Sequence, residues 1–143
     1  VLKNIPAIIS PELLKILSEM GHGDEIVLAD ANYPAASTAK KLVRYDGIDM
    51  KQILPAILEV LPIDIYVESG ITLMETTNGD NTPDIWVDYQ NIVNEKQAEN
   101  KKISHIEREA FYERGKKAYA VVATGETALY ANIILKKGVI VAS

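Results

Sequence analysis

Apolar and polar positions along the chain switch between two periods, and the switching predicts helices interleaved with short strands. Ser10-Pro11-Glu12 reads as a helix start: a capping hydroxyl, a proline in the first turn and an acid near the positive helix end. Leu13, Leu14, Leu17 and Met20 follow at helical spacing, and Gly21 is the expected stop. Residues 25–30 read as a strand, 31–34 as a loop, and 35–45 as a helical turn followed by an extended piece. Asp49 and Gln52 have capping-box spacing for a helix over 51–61, ended by Pro62, with Pro55 leaving its first turn ambiguous. Strands are expected at 63–67 and 71–75, and a turn at Asn78-Gly79-Asp80-Asn81. Thr82-Pro83-Asp84 marks another helix start, with Ile85, Tyr89, Ile92 and Val93 on its apolar side. Residues 95–102 read as a polar, mobile connection, 103–106 as a strand and 107–117 as a helix. Residues 118–124 read as a buried strand, 125–129 as a loop and 131–136 as the last strand. The expected class is a single α/β domain over residues 1–143, with a sheet covered by helices.

Composition narrows the chemistry. Fifteen basic against twenty acidic residues leave a net charge of −5, which speaks against general nucleic-acid binding. Cysteine is absent, which removes disulfides, thiolate metal sites and a thiol nucleophile, and suits a reducing, cytoplasmic setting. No apolar run approaches the roughly 20 residues of a membrane span, and no basic-then-apolar leader is visible, so no membrane partner is expected.

The most suggestive local feature is Met20-Gly21-His22-Gly23-Asp24, running into the strand that ends at Asp30. An imidazole titrates near neutrality, so an accessible histidine between glycines suits proton transfer. Spacing alone leaves His22 open between that role and a turn histidine with a local hydrogen bond. The glycines follow a helix and precede a strand, the reverse of a dinucleotide-binding loop. Two histidines and no cysteine make a metal centre at His22-x-Asp24 unexpected. His105, in a strand with apolar neighbours, is expected to be structural. Arg108 and Arg114, around Phe111-Tyr112, are compatible with a solvated helix face. Tyr130 and Asn132 offer the donors, acceptors and ring face that a sugar needs, although Tyr130 alone also fits a packed strand-edge aromatic. Glu126 is expected to stabilise its loop, and no serine sits on a Gly-x-Ser-x-Gly elbow.

Taken in order, the blocks from Leu13-Leu14 through Gly21-His22-Gly23-Asp24-Glu25 to Asp30, then Leu61-Pro62-Ile63-Asp64-Ile65-Tyr66-Val67-Glu68-Ser69, Ile106-Glu107-Arg108, Phe111-Tyr112-Glu113-Arg114, and Val121 through Tyr130-Ala131-Asn132 to Val139, resemble the L-fucose mutarotase / D-ribose pyranase family. Gly-His-Gly-Asp-Glu, the arginine at 108 and Phe-Tyr-Glu-Arg resemble its fucose branch, whereas Tyr130-Ala131-Asn132 follows the ribose branch, which commonly has alanine where the fucose branch has glycine. The resemblance implies a ribose pyranase-like fold with a central mixed sheet flanked by helices. It implies an isomerase, an L-fucose mutarotase, with D-ribose pyranase activity or a non-catalytic sugar-binding transport accessory as alternatives. It implies His22 as general acid, Asp30, Arg108, Tyr130 and Asn132 as sugar contacts with Ala131 contributing backbone, and Asp64 and Tyr112 as further contacts. It also implies a monosaccharide partner (L-fucose, with D-ribose second), ring-shaped decamers with sites completed between subunits, and no cofactor or metal.

Overall fold

Two helices start where a side chain takes up free amides. In a computed structural model describing residues 1–142, the Ser10 hydroxyl accepts from Leu13 N–H at 3.2 Å and opens α1 (Pro11–Glu19). The expected capping box is formed in full, with Asp49 and Gln52 exchanging side-chain and backbone bonds at the start of α3 (Met50–Val60). Pro55 lies inside α3 rather than in its first turn; the Lys51 carbonyl it cannot serve is on an exposed residue, within reach of water. The other helices are α2 (Ala35–Thr38), α4 (Ile85–Lys96) and α5 (Arg108–Lys117). The strands are β1 (Glu25–Ala29), β2 (Leu42–Tyr45), β3 (Ile71–Met74), β4 (Ile103–Ile106), β5 (Ala120–Thr124) and β6 (Ile133–Lys136).

The strands form one sheet in the order β2-β5-β1-β6-β3-β4. β1, β2 and β5 are parallel, as are β3 and β4; β6 lies between β1 and β3 and is antiparallel to both. All strands except β6 therefore point the same way, so the sheet has a carboxyl end and an amino end. The single α/β domain with a central mixed sheet flanked by helices is as expected. Alternating side chains sort to the two faces. Ile26, Leu28, Val122, Leu73, Ile133 and Leu135 pack under α1, α3 and α4 in the larger core. Val27, Ala29, Val121, Ala123, Met74 and Ile134 pack with Phe111 of α5 and Tyr33 in the smaller one. Burying each large aliphatic contributes on the order of 1.5–3 kcal/mol before chain entropy is counted. Among the described residues no helix is long and apolar enough to cross a membrane.

Three sequence expectations give way to local chemistry. The strand expected at 63–67 is not formed: Ile63 makes one isolated bridge to Lys137, and the chain then bends. The Asp64 carboxylate accepts from Tyr66 N–H at 3.0 Å, and this side-chain turn displaces ladder pairing. Gly21 does not stop α1 by a left-handed conformation; Met20 is already extended, and the positive φ of +88° falls on Gly23. Residues 97–102 are tethered: Asn100, at φ 51°, donates its side-chain amide to the carbonyls of Asp64 (2.7 Å) and Val67 (3.0 Å).

Candidate active site

At the carboxyl end, Asp30 follows the last residue of β1 and is buried, with 6% exposure. Its N–H donates to Asn132 Oδ1 at 2.7 Å, which fixes the Asn132 amide and leaves its NH₂ as the remaining donor. Asp30 Oδ1 accepts from Asn32 N–H at 2.9 Å. Burial raises the pKa of Asp30, with nearby Glu126 adding to it, and this outweighs the backbone N–H groups of Asn32, Tyr33 and Ala131 that stabilise its charge.

Tyr130 is in the left-handed region, φ 55°, a conformation that a bulky residue keeps only when its surroundings impose it. Those surroundings are explicit. Trp86 Nε1 donates to the Tyr130 carbonyl at 2.8 Å, and the hydroxyl of buried Tyr89 donates to the Ala131 carbonyl at 2.8 Å. The Tyr130 hydroxyl meets Thr77 Oγ1 at 3.1 Å, Thr77 N–H at 3.3 Å and the Asp80 carboxylate. Arg108 opens α5 with its guanidinium 5.2 Å from the centre of the Tyr112 ring, and Tyr112 lies 5.6 Å from the Tyr33 ring. Tyr112 raises the pKa of Arg108 most, and Glu109 and Tyr130 contribute at longer range. Glu126 takes the loop role expected of it: its carboxylate accepts from Met50 N–H and Ala128 N–H, both at 3.1 Å.

His22 lies at the amino end. Its Nε2 is 3.2 Å from Asp64 Oδ1, its side chain is 46% exposed, and its ring centre is 5.8 Å from that of Tyr66. The flanking backbone is held by Gly23 N–H donating to the Lys137 carbonyl at 2.8 Å and by Gly21 N–H donating to the Asp24 carboxylate at 2.8 Å. Lys137 in turn donates to the Leu17 and Met20 carbonyls (2.7 and 2.6 Å), placing a cation at the negative end of α1. Burial opposes ionisation of Asp64, yet its pKa is lowered, because Tyr66 N–H, His22 and Lys136 together favour the carboxylate.

The structure thus gathers Asp30, Arg108, Tyr112, Tyr130, Ala131 and Asn132 at one end, and His22 with Asp64 at the other. The five residues of β1 between them, at about 3.3 Å each, hold the two groups about 16 Å apart. His105 is exposed on edge strand β4, its ring 4.6 Å from that of Trp86, rather than packed among apolar neighbours. Arg114 is not on a solvated face: it pairs with Glu25 and reaches Thr72 Oγ1. Sequence reading missed Thr77, Asp80, Trp86 and Tyr89, which hold the Tyr130 segment from about 40–50 residues away. The Asn78-Gly79 turn was a visible signal that the chain doubles back there, but not of what it meets.

The fold corresponds to a known class. The sequence matches the RbsD / FucU transport protein family over residues 3–140, and the chain belongs to that family. It is 50% identical over 147 residues to the human fucose mutarotase, covering 97% of this chain and 94% of that protein. Its backbone superposes with a TM-score of 0.93 on the fucose mutarotase of Streptococcus pneumoniae, solved in complex with L-fucose, at 58% identity over 98% of this chain and 100% of that one. The likeness to RbsD of Bacillus subtilis, solved with D-ribose, is lower: TM-score 0.70 and 26% identity over 94% and 96% of the two chains. Within the family the chain falls in the fucose mutarotase branch, and the expected enzyme class, an isomerase of the mutarotase type, is borne out at that level.

Proposed function

We propose that the protein interconverts the α and β anomers of L-fucose by opening and reclosing the sugar ring, in sites each built from two copies of the chain. One copy holds the sugar with Asp30, Arg108, Tyr112, Tyr130, Asn132 and the backbone of Ala131. A second copy, in the ring-shaped decamer that the resemblance implies, supplies His22 as proton donor and Asp64 as its partner. The observation that carries this reading is the separation of about 16 Å along β1 between the two groups, which keeps one chain's own His22 from a sugar held at its own Asp30.

The chemistry follows from the groups. Asp64, held ionised, accepts from His22 Nε2–H, which leaves Nδ1 to carry the reacting proton. The imidazolium gives that proton to the ring oxygen as the bond from C1 to that oxygen breaks. The anomeric hydroxyl releases its proton to a base or water, and C1 becomes an aldehyde carbon. Rotation about C1–C2 turns the other face of the carbonyl toward the ring oxygen's hydroxyl, and closure reverses both transfers, returning the proton to His22. Asp30 accepts hydrogen bonds from sugar hydroxyls and the Asn132 NH₂ donates, so the sugar is gripped by complementary groups while C1 turns. Arg108 binds a hydroxyl or stabilises developing negative charge. None of these steps calls on a cofactor. The cysteine-free composition supports a cytoplasmic setting.

Subunit complementation tests the two-copy site. His22→Ala and Asp30→Asn chains are each expected to lose anomer exchange, measured by saturation-transfer NMR on L-fucose. When the two are unfolded together and reassembled one to one, about a quarter of sites combine an intact His22 with an intact Asp30 from different chains, and activity returns to that level. No recovery in a mixture shown to co-assemble overturns the shared site. D-ribose is the second substrate considered, because Tyr130-Ala131-Asn132 carries the ribose-branch alanine; exchange rates on the two sugars, measured side by side, rank them.

A further inference from the structure

The Tyr130 hydroxyl has one proton to give, and an ionised carboxylate can take it but not return one. Asp80 is the carboxylate in contact, so the phenol donates to Asp80. The Thr77 N–H, at 3.3 Å, takes up one acceptor position on the phenol oxygen. The last position faces Thr77 Oγ1 at 3.1 Å, and an incoming hydroxyl takes that place when the Thr77 side chain turns to another rotamer. What remains for an incoming ligand is an acceptor.

The turn that delivers Asp80 is built for this. Asn78 and Gly79 both have positive φ (57° and 72°), and Asp80 N–H closes onto the Thr77 carbonyl at 3.0 Å. Thr77 and Asp80 therefore reach the same phenol from the two sides of one tight turn. Asp80 is an exposed residue with no part in either core, and Tyr130 and Asp80 line the same open cleft of about 450 Å³.

We propose that Asp80 is a positioning residue of the sugar site: it binds the Tyr130 hydroxyl proton, so that Tyr130 meets the sugar as a hydrogen-bond acceptor and selects a donating hydroxyl. The inference rests on Tyr130 being a sugar contact, as proposed above. It assigns Asp80 no contact with the sugar and no part in proton transfer; its effect runs through Tyr130.

The test is a double-mutant cycle on the full-length assembly, with KM and kcat for L-fucose anomer exchange read separately by NMR and thermal melting as the folding control. Asp80→Ala is expected to raise KM about tenfold, with kcat within about threefold of wild type and an unchanged melt. Asp80→Asn keeps an acceptor oxygen and is expected to recover most of the KM. In a Tyr130→Phe background, Asp80→Ala is expected to add nothing, because the hydroxyl through which it acts is gone. A wild-type KM in Asp80→Ala overturns the proposal, as does an undiminished effect of Asp80→Ala on top of Tyr130→Phe, which would mark a general role of the turn. A wild-type protein that exchanges no L-fucose fails differently: it overturns the mutarotase reading itself, and this inference with it.

Discussion

Asp30 and Asp64 are both shielded from solvent, 6% and 3% exposed, at opposite ends of the sheet, but Asp30 lies deeper in the protein, and their pKa values move in opposite directions. Burial pushes both upward. Asp30 has backbone N–H groups around it and Glu126 nearby, and burial wins; Asp64 has a backbone N–H, an imidazole and Lys136, and the charged form wins. The exposure of the two groups differs in the same sense. The end proposed to hold the sugar is fixed by interior bonds from Asn132, Trp86 and Tyr89, whereas His22 stands half exposed on a glycine-flanked loop with Asp64 as its side-chain partner. Fixed geometry suits the proposed binding surface, and access suits the proposed proton donor. Helix α5 spans between the two ends, with Arg108 and Tyr112 toward one and the Arg114–Glu25 pair toward the other.

The contrast can be broken most severely at the exposed end. His22→Ala is expected to lower L-fucose anomer exchange on the order of 10²–10⁴-fold with little change in thermal melting, because the ring packs into neither core. Exchange at the wild-type rate removes His22 from the mechanism. At the locked end, Asp30→Asn is expected to weaken L-fucose binding by roughly 10–100-fold, the loss of hydrogen bonds to a charged acceptor, as read by calorimetric titration.

That same variant sharpens the comparison through pH. Asp30 has a folded-state pKa above its unfolded value, so its contribution to stability is fully present below the unfolded pKa and is lost as pH rises through the folded one. At neutral pH its ionised form is a burden, and Asp30→Asn is expected to shift denaturant unfolding to higher concentration, a gain that disappears in acid. Asp64 is the mirror case. Its folded pKa is depressed, so its contribution is present above the unfolded value and lost as pH falls through the folded one. Asp64→Asn is expected to destabilise at neutral pH and to match wild type in strong acid. Two variants with the same pH dependence would contradict the opposed environments.

Gly115→Ala tests the element that spans both ends. An alanine Cβ there would fall 2.0 Å from Tyr33 Oη, and the expected loss is about 1–3 kcal/mol of stability, against the gain of about 1 kcal/mol that Gly→Ala usually brings inside a helix. Adding Tyr33→Phe removes the oxygen in the way and is expected to return part of the loss. Tyr33 Oη is buried and, among the described residues, has no partner at hydrogen-bond distance, so its removal leaves no donor behind.

Features that depend on neighbours in the chain were legible. Ser10 and the Asp49–Gln52 pair mark their helices because a cap and the amides it serves are three residues apart. The strands at 25–30, 71–75, 118–124 and 131–136 were visible because a central sheet buries near-continuous apolar runs, and the edge strand at 103–106 because Ile103 and Ile106 bracket a short polar pair. Residues 63–67 failed because their pattern is also strand-like, while the side chain of Asp64 supplies an alternative partner for the backbone that periodicity does not register. The Gly21-His22-Gly23-Asp24 block stood out as candidate chemistry, and family resemblance gave His22 its companions.

By itself the sequence determined the order and kind of elements, the caps and turns, the exclusion of thiol chemistry and the family, all of which rest on short-range pattern or on matched blocks. Tertiary structure decided which of the matched residues meet. His22 and Asp30 look like neighbours, eight positions apart, but an extended strand carries them to opposite ends of the sheet. His22 and Asp64, 42 positions apart, come within 3.2 Å because the bridge between Ile63 and Lys137 brings two remote segments side by side. Thr77 and Asp80 reach Tyr130 for the same reason, since the turn between them opens onto a segment that only the packed sheet sets beside it. Proximity along the chain follows covalent geometry; proximity at a site follows from which faces must leave water.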